Sequence, residues 1–472
     1  MNFTLYDIIL LAIFLVFTSV FLYRKRKNIK KEGLLLLYKT SVGIKIINKI
    51  GNKYQKLLTL LGYVSIVIGF LLMAGVIYFF GKIIFIYIFQ ADVVQAIKVP
   101  PIMPLIPYLP QIFKLNFLPP FYFIYWIIIL AVVAISHEFA HGIFAAHKKV
   151  KIKSTGFGFF PFFFPVFLAA FVELDEKKMQ KKKISEQMAV LSAGTFANIL
   201  IAVLVFGILA LFFSLAFAPS GVVFNTYTYS IVGVASITSI NNLTVENATY
   251  SEIKNLMGDG MNEVVADGEK YVTTKSFLEK QSGGDYVTLY EDAPAVRANL
   301  SNVIVKINGV GIDSIEKLEE ELFKHSPGEK ITITTLEGDA FRDYEIVLGK
   351  NPENEKPYLG IGFLNQKQKP GILGNIVNFL SFKEPNIYYE PNFEASEFIY
   401  NLLWWLALIS FSVALVNMLP VGIFDGGRFF YLAILGLTKS EKIAKRLFTF
   451  LTYLFIALVV VMMVFWGLSF FK

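Results

Sequence analysis

The sequence predicts a multi-pass α-helical membrane protein: six transmembrane helices, a membrane-associated β-hairpin and an extracytoplasmic α+β insert. Three observations carry this. Hydrophobic residues make up 55% of the 472 and charged residues 17%, where a soluble chain carries nearer a quarter charged. Six apolar runs are long enough to cross a bilayer, which needs about 20 residues. One stretch, 219–370, instead mixes charge, Asn and Gly with alternating apolar and polar positions, the pattern of strands half in water.

The expected parts follow in order. Residues 1–120 hold two helices, about 5–23 and 57–81, and a Pro-rich outer loop. The first helix runs directly into Arg24-Lys25-Arg26-Lys27 with no small-residue cleavage site, so it reads as a retained signal anchor. Alternation near 33–47 hints at short strands. Prolines at 100, 101, 104, 107, 110, 119 and 120 bar a regular helix from the loop. Residues 121–217 form the first part of a membrane core, with helices at about 121–147 and 186–217. Between them lies a Gly-, Pro- and Phe-rich segment, 153–173, which suits an extended hairpin dipping into the membrane. Residues 396–472 supply the second part of the core, with helices at about 398–419 and 447–470.

Basic residues set the expected orientation. There are eleven Lys or Arg in 24–56, nine in 148–185 and four in 439–446, against two in 90–120. By the positive-inside rule the first three segments face the cytoplasm, which leaves the N-terminus and the 219–370 insert outside. Sequons at Asn242, Asn247 and Asn299 fit that side. The same distribution gives the net charge of +8 an orienting role, so nucleic acid is not an expected partner and membrane lipids are. Cysteine is absent, which excludes disulfides, thiolate nucleophiles and Cys-ligated metal.

The chemistry begins at Ser136-His137-Glu138-Phe139-Ala140-His141-Gly142, inside an apolar run. A helix turns about 100° per residue, so His137 and His141 share a face and can ligate one metal ion, with Glu138 beside them as a base. The alternative is that these groups fill polar gaps between packed helices, but three ionisable side chains in lipid are costly without a role. A catalytic zinc keeps three protein ligands. His147, at a helix end beside two lysines, and His325, in the insert, are poor third candidates. Asp425, in Asn417-Met-Leu-Pro-Val-Gly-Ile-Phe-Asp-Gly-Gly, is the only acid between Glu397 and Glu441. It follows a break at Pro420 and Gly422 that can turn it into the bundle. A simple helix-capping Asp is the competing reading.

Within the insert, 237–253 and 303–318 each run strand, Asn turn, short strand, then capped helix. The second copy, about 284–365 and preceded by Asp292-Ala-Pro-Ala-Val-Arg-Ala, resembles a PDZ domain, and about 220–282 resembles a degenerate copy. PDZ folds bind peptide C-termini by strand addition, and a ligand-free cap or size filter is equally open here.

Together, HEFAH, NMLPVGIFDGG and the PDZ-like insert resemble the site-2 protease family of intramembrane zinc metalloproteases. Leu191-Ser-Ala-Gly-Thr-Phe-Ala-Asn198 is similar to a further family motif, with Thr195 where many members have Pro. The resemblance implies one Zn2+ per chain on His137, His141 and Asp425, Glu138 as catalytic acid/base, and transmembrane helical proteins as substrates. The active site is then expected towards the cytoplasmic face of the cell membrane. The resemblance further gives Asn417, and with it Asn198, a hold on substrate. A cleaved helix must unwind, and the segment from Gly156 to Phe171 is the expected docking edge. The competing function is a non-catalytic, metal-stabilised scaffold or chaperone. A six-span metal transporter is disfavoured because no ladder of ionisable groups crosses the other spans.

Overall fold

The computed structural model describes residues 3–32, 35–90, 94, 100, 103–115, 117–160, 166–281, 283–338, 340–351, 354–363 and 381–468. Much of the 90–102 loop and all of 364–380 therefore lie outside the described residues. The chain divides into two compact units, residues 1–212 with 397–472, and residues 213–396.

Among the described residues, six helices are long and apolar enough to cross a membrane. In chain order the membrane unit runs α1 (Phe3–Arg24), α2 (Ile44–Lys53), α3 (Gln55–Phe89), α4 (Phe123–His147), α5 (Ile184–Ala216), α6 (Ser396–Asn417), α7 (Asp425–Thr438) and α8 (Glu441–Leu468). The short α2 and α7, like the single turns Leu109–Ile112 and Glu176–Gln180, are not among the six. The second span is longer than the apolar run alone suggested, and the last starts at Glu441, inside the basic segment.

α4 carries the histidines, and its burial explains where they point. Trp126, Ile129, Val133, His137, His141 and Phe144 recur every three or four residues and are all buried. The stripe that packs the helix is thus the stripe that holds the imidazoles. Leu406 and Ile409 of α6 join Trp126, Ile129 and Val133 in one core cluster. The first turn of α4 is capped from a distance. Asp7 of α1, 3% exposed, accepts from the Phe123 and Ile124 N–H groups at 2.6 and 3.0 Å and from the Tyr108 hydroxyl at 2.6 Å. Charge-assisted bonds of this kind contribute about 1.5–3 kcal/mol each, and a carboxylate suits the positive end of a helix.

The expected hairpin is half of something larger. Strands β1 (Ile29–Glu32), β2 (Leu35–Thr40), β3 (Ile152–Phe160) and β4 (Val166–Leu174) form one antiparallel sheet in the order β1-β2-β3-β4. The alternation near 33–47 is therefore β2, and it ends in a helix, α2, rather than in more strand. Lys39 on β2 and Ser154 on β3 both bond Glu173 on β4, at 2.8 and 2.5 Å, and so tie three strands across the sheet.

The insert contains two six-stranded sheets, besides two small two-stranded ones, and their boundaries differ from those expected. One holds strands Tyr229–Gly233, Ile237–Ile240, Leu243–Thr244, Met261–Ala266, Glu269–Thr274 and Tyr286–Glu291; the other holds Phe217–Val223, Val303–Ile307, Lys330–Glu337, Ala340–Val347 and Ile387–Pro391, with Val310–Gly311 beside it. Thus Tyr286–Glu291, expected in the second copy, belongs to the first, and Phe217–Val223 belongs to the second. The first module is nested in the second. Hydrophobic burial decides this: Val222 and Phe224 pack with Ile304, Ile307 and Ile331, while Val287 and Leu289 pack with Val232 and Ile253. Arg297 joins the modules by bonding both Asp292 and Glu263, and its guanidinium holds the Asp292 carboxyl below the usual carboxylate range.

Candidate metal centre

α4 points His137 and His141 inward, and the start of α7 brings Asp425 to them. His137 Nε2 and His141 Nε2 are 3.0 Å apart, and each is 3.1 Å from Asp425 Oδ2. Both histidines are buried and Asp425 is partly so. Two imidazole nitrogens and a carboxylate oxygen are a donor set that suits zinc, and a tetrahedral zinc with ligands about 2.0–2.1 Å away spaces them by about 3.3 Å. The three donors fit that ion.

Asp425 reaches the site because the chain before it folds tightly. It is the first residue of α7 and makes no side-chain cap there, so the helix-capping alternative does not describe it. A Cβ on Gly426 would lie 2.3 Å from the carbonyl carbon of Met418, and one on Gly427 would lie 2.3 Å from the Val421 oxygen. Only glycine lets α7 begin against the 418–422 turn. Three residues on, Arg428 donates to Glu176 at 2.8 Å and ties this turn to the segment after β4.

α5 forms the opposite wall. The Val190 carbonyl accepts from His141 Nδ1 at 2.7 Å, and the Asn198 side-chain amide lies 3.2 Å from His137 Nδ1. Between them a Cβ on Gly194 would come within 2.5 Å of His141 Nε2 and 2.6 Å of His137 Nε2. Gly194 leaves open the space an ion needs. Its part was missed in the sequence, although the spacing of four from 190 to 194 to 198 marks one helical face.

Glu138 sits one residue round the helix and accepts from the Val172 N–H at 2.9 Å. Among the described residues β4 is an end strand of its sheet, and Glu138 bonds its outer side. Gly156, by contrast, lies in β3 between Lys39 of β2 and Phe171 of β4. Its two main-chain edges are flanked on both sides, so Gly156 itself offers no docking edge; of the expected segment from Gly156 to Phe171, only the part in β4 lies on an end strand among the described residues.

Asn417 ends α6 and lines a groove of roughly 390 Å3 with Met103, Leu105, Trp405, Ile409 and Ser412. The remaining histidines are elsewhere. His147 Nε2 is 3.2 Å from Thr59 Oγ1, and His325 lies between Asn308 and Glu329 in the insert. The structure thus gathers His137, Glu138, His141, Asn198 and Asp425 at one place, and leaves Asn417 on the groove at the end of α6.

The chain is similar to known proteins. The family model described as peptidase family M50 matches residues 125–462. An uncharacterized protein of Methanocaldococcus jannaschii is 29% identical over 210 residues, covering 43% of this chain and 50% of its own. The zinc metalloprotease RasP of Shouchella clausii is 27% identical over 203 residues, covering 37% of this chain and 48% of its own. The chain thus spans about half the length of these curated relatives. A solved PDZ domain, from the SdrC-like protein of Listeria monocytogenes, is 22% identical with a TM-score of 0.15, and covers 16% of this chain and 78% of that one.

Proposed function

The chain belongs to peptidase family M50, and on that premise we propose that it is a zinc metalloendopeptidase which cuts transmembrane helices within the membrane. The observation that carries the reading is the convergence of His137 Nε2, His141 Nε2 and Asp425 Oδ2 within 3.1 Å beside Glu138, on the buried face of an apolar helix. A structural ion would need no carboxylate held next to it. Zinc, when bound there, acts as a Lewis acid that lowers the pKa of water and polarises a carbonyl. Glu138 takes the proton of the attacking water and returns it to the leaving amine, so that hydrolysis balances without another acid.

Substrate class follows from where the base stands. A peptide bond inside a helix is hidden by its own hydrogen bonds, and an unwound segment needs new partners in a site without bulk water. β4, an end strand among the described residues, offers them beside Glu138, which now holds its Val172 N–H. An extended segment added there lies next to the base. Asn417 supplies an amide on the apolar groove beside the Asp425 turn, suited to holding substrate main chain. The charge distribution supports the metal site lying towards the cytoplasm with the N-terminus and insert outside. The PDZ-like modules there take peptide C-termini or exclude bulky ectodomains.

The test is purified protein in lipid vesicles with a panel of single-span helices. Cleavage inside the apolar span is expected, stopped by a zinc chelator and restored by zinc. Cleavage that survives complete metal removal, or cuts confined to water-exposed linkers, would sink the reading.

A further inference from the structure

Asn198 stands beside a ligand imidazole, not beside any open edge. It is fully buried, and its amide touches two groups of α4: His137 Nδ1 at 3.2 Å and Ser136 Oγ at 3.4 Å. Ser136 Oγ also lies 3.1 Å from the Val133 carbonyl. The two ends of an amide have the same shape, so proton counting decides which faces which group. The Ser136 proton can go to the Val133 carbonyl or to the Asn198 oxygen, so Ser136 alone leaves the amide's orientation open. With His137 Nε2 as a metal ligand, however, the ring proton sits on Nδ1 and needs an acceptor. The amide then turns its oxygen to His137 Nδ1 and its NH2 to Ser136, whose own proton goes to Val133.

From this we propose that Asn198 is a positioning residue for the metal centre, one that holds His137 in the Nδ1–H tautomer with the Nε2 lone pair facing His141 and Asp425. His141 is set the same way, since the Val190 carbonyl can only accept, and its Nδ1 must donate. One face of α5 thus fixes both imidazoles. Val190 and Asn198 each take an Nδ1 proton, and Gly194 between them leaves the Nε2 side clear. Partners of this kind, beyond the ligands themselves, set ring orientation and typically change metal affinity 10–100-fold when removed. This assignment replaces the expected role of Asn198 in substrate binding. It rests on the reading of His137, His141 and Asp425 as a zinc site, but not on cleavage.

The experiment measures zinc on the full-length protein in detergent. Asn198→Leu removes the acceptor at similar size, and Asn198→Asp keeps an acceptor towards Nδ1. Zinc affinity, by competition with a coloured chelator, is expected to fall 10–100-fold in the Leu variant and to recover most of the way in the Asp variant. The visible absorption of Co2+-loaded protein should shift in the Leu variant and return in the Asp variant. With zinc saturating, KM for a cleaved helix should stay within about twofold of wild type. Wild-type zinc affinity with a raised KM in the Leu variant would overturn the assignment and make Asn198 a substrate contact. Equal loss in both variants would overturn it as well, because a purely structural amide gains nothing from an acceptor. Protein that binds zinc as expected but cleaves no helix would refute the proposed function and leave this inference standing.

Discussion

Glu138→Gln is expected to lower peptide hydrolysis by 10²–10⁴-fold, the usual contribution of general acid–base catalysis, with zinc content unchanged at one per chain. Glutamine has nearly the shape of glutamate, and its amide oxygen can still accept from the Val172 N–H. The contact with β4 should therefore persist, and thermal unfolding should shift little. What disappears is the ability to take a proton from water. Parallel measurements of cleavage and bound metal check this on one preparation. Cleavage within tenfold of wild type would remove Glu138 from the chemistry, and loss of zinc would show that it holds the site together instead.

Gly194→Ala should abolish metal binding and, with it, activity. The added methyl would lie 2.5 Å from His141 Nε2 and 2.6 Å from His137 Nε2, far inside van der Waals contact. The imidazoles can yield only by swinging off the bonds made by their Nδ1 atoms. Overpacking of this kind costs about 1–3 kcal/mol, but the ligand geometry suffers more than the fold. Gly207→Ala in the same helix is the control, because its Cβ would meet nothing within 4 Å. Metal analysis and cleavage assays on both variants give the answer. A Gly194→Ala protein that holds zinc with wild-type affinity would mean that the ion sits away from this face of α5.

Most of the candidate site was legible in the sequence because its signals are local. His137 and His141 are four residues apart on a helix, and Asp425 stands out as a lone acid after a helix break. The six spans are equally local, since length and apolarity decide them. What escaped depends on pairing across long separations. Gly156 looked like an edge because its segment was extended and rich in aromatics. Only the arrival of Leu35–Thr40, more than a hundred residues upstream, makes β3 an interior strand. Asp7 escaped for the same reason: nothing in α1 reveals that its one acid caps the helix starting at Phe123. The insert misled in a third way. Its two copies echo each other in sequence, and simple tandem order was the economical reading. The side chains of Phe217–Val223 match an early strand of either copy, and only the buried cluster of Val222 with Ile304 assigns it.

The nested insert also sets an order of assembly. The strand Phe217–Val223 pairs with Val303–Ile307 and Ile387–Pro391, so it waits for chain made much later. The inner module has its own core and spans 229–291, with Tyr229 opposite Tyr290 in one strand pair and Glu291 N–H bonded to the Thr228 carbonyl. Once it folds, the two ends of that excursion are neighbours. For the outer module, a detour of about 60 residues then behaves like a connector of a few, about four halvings of loop length and roughly 2 kcal/mol less closure entropy. Folding of the inner module would therefore lower the cost of closing the outer one. A lesion in its core, at Leu289 or Ile253 for instance, would delay a sheet to which it contributes no strand.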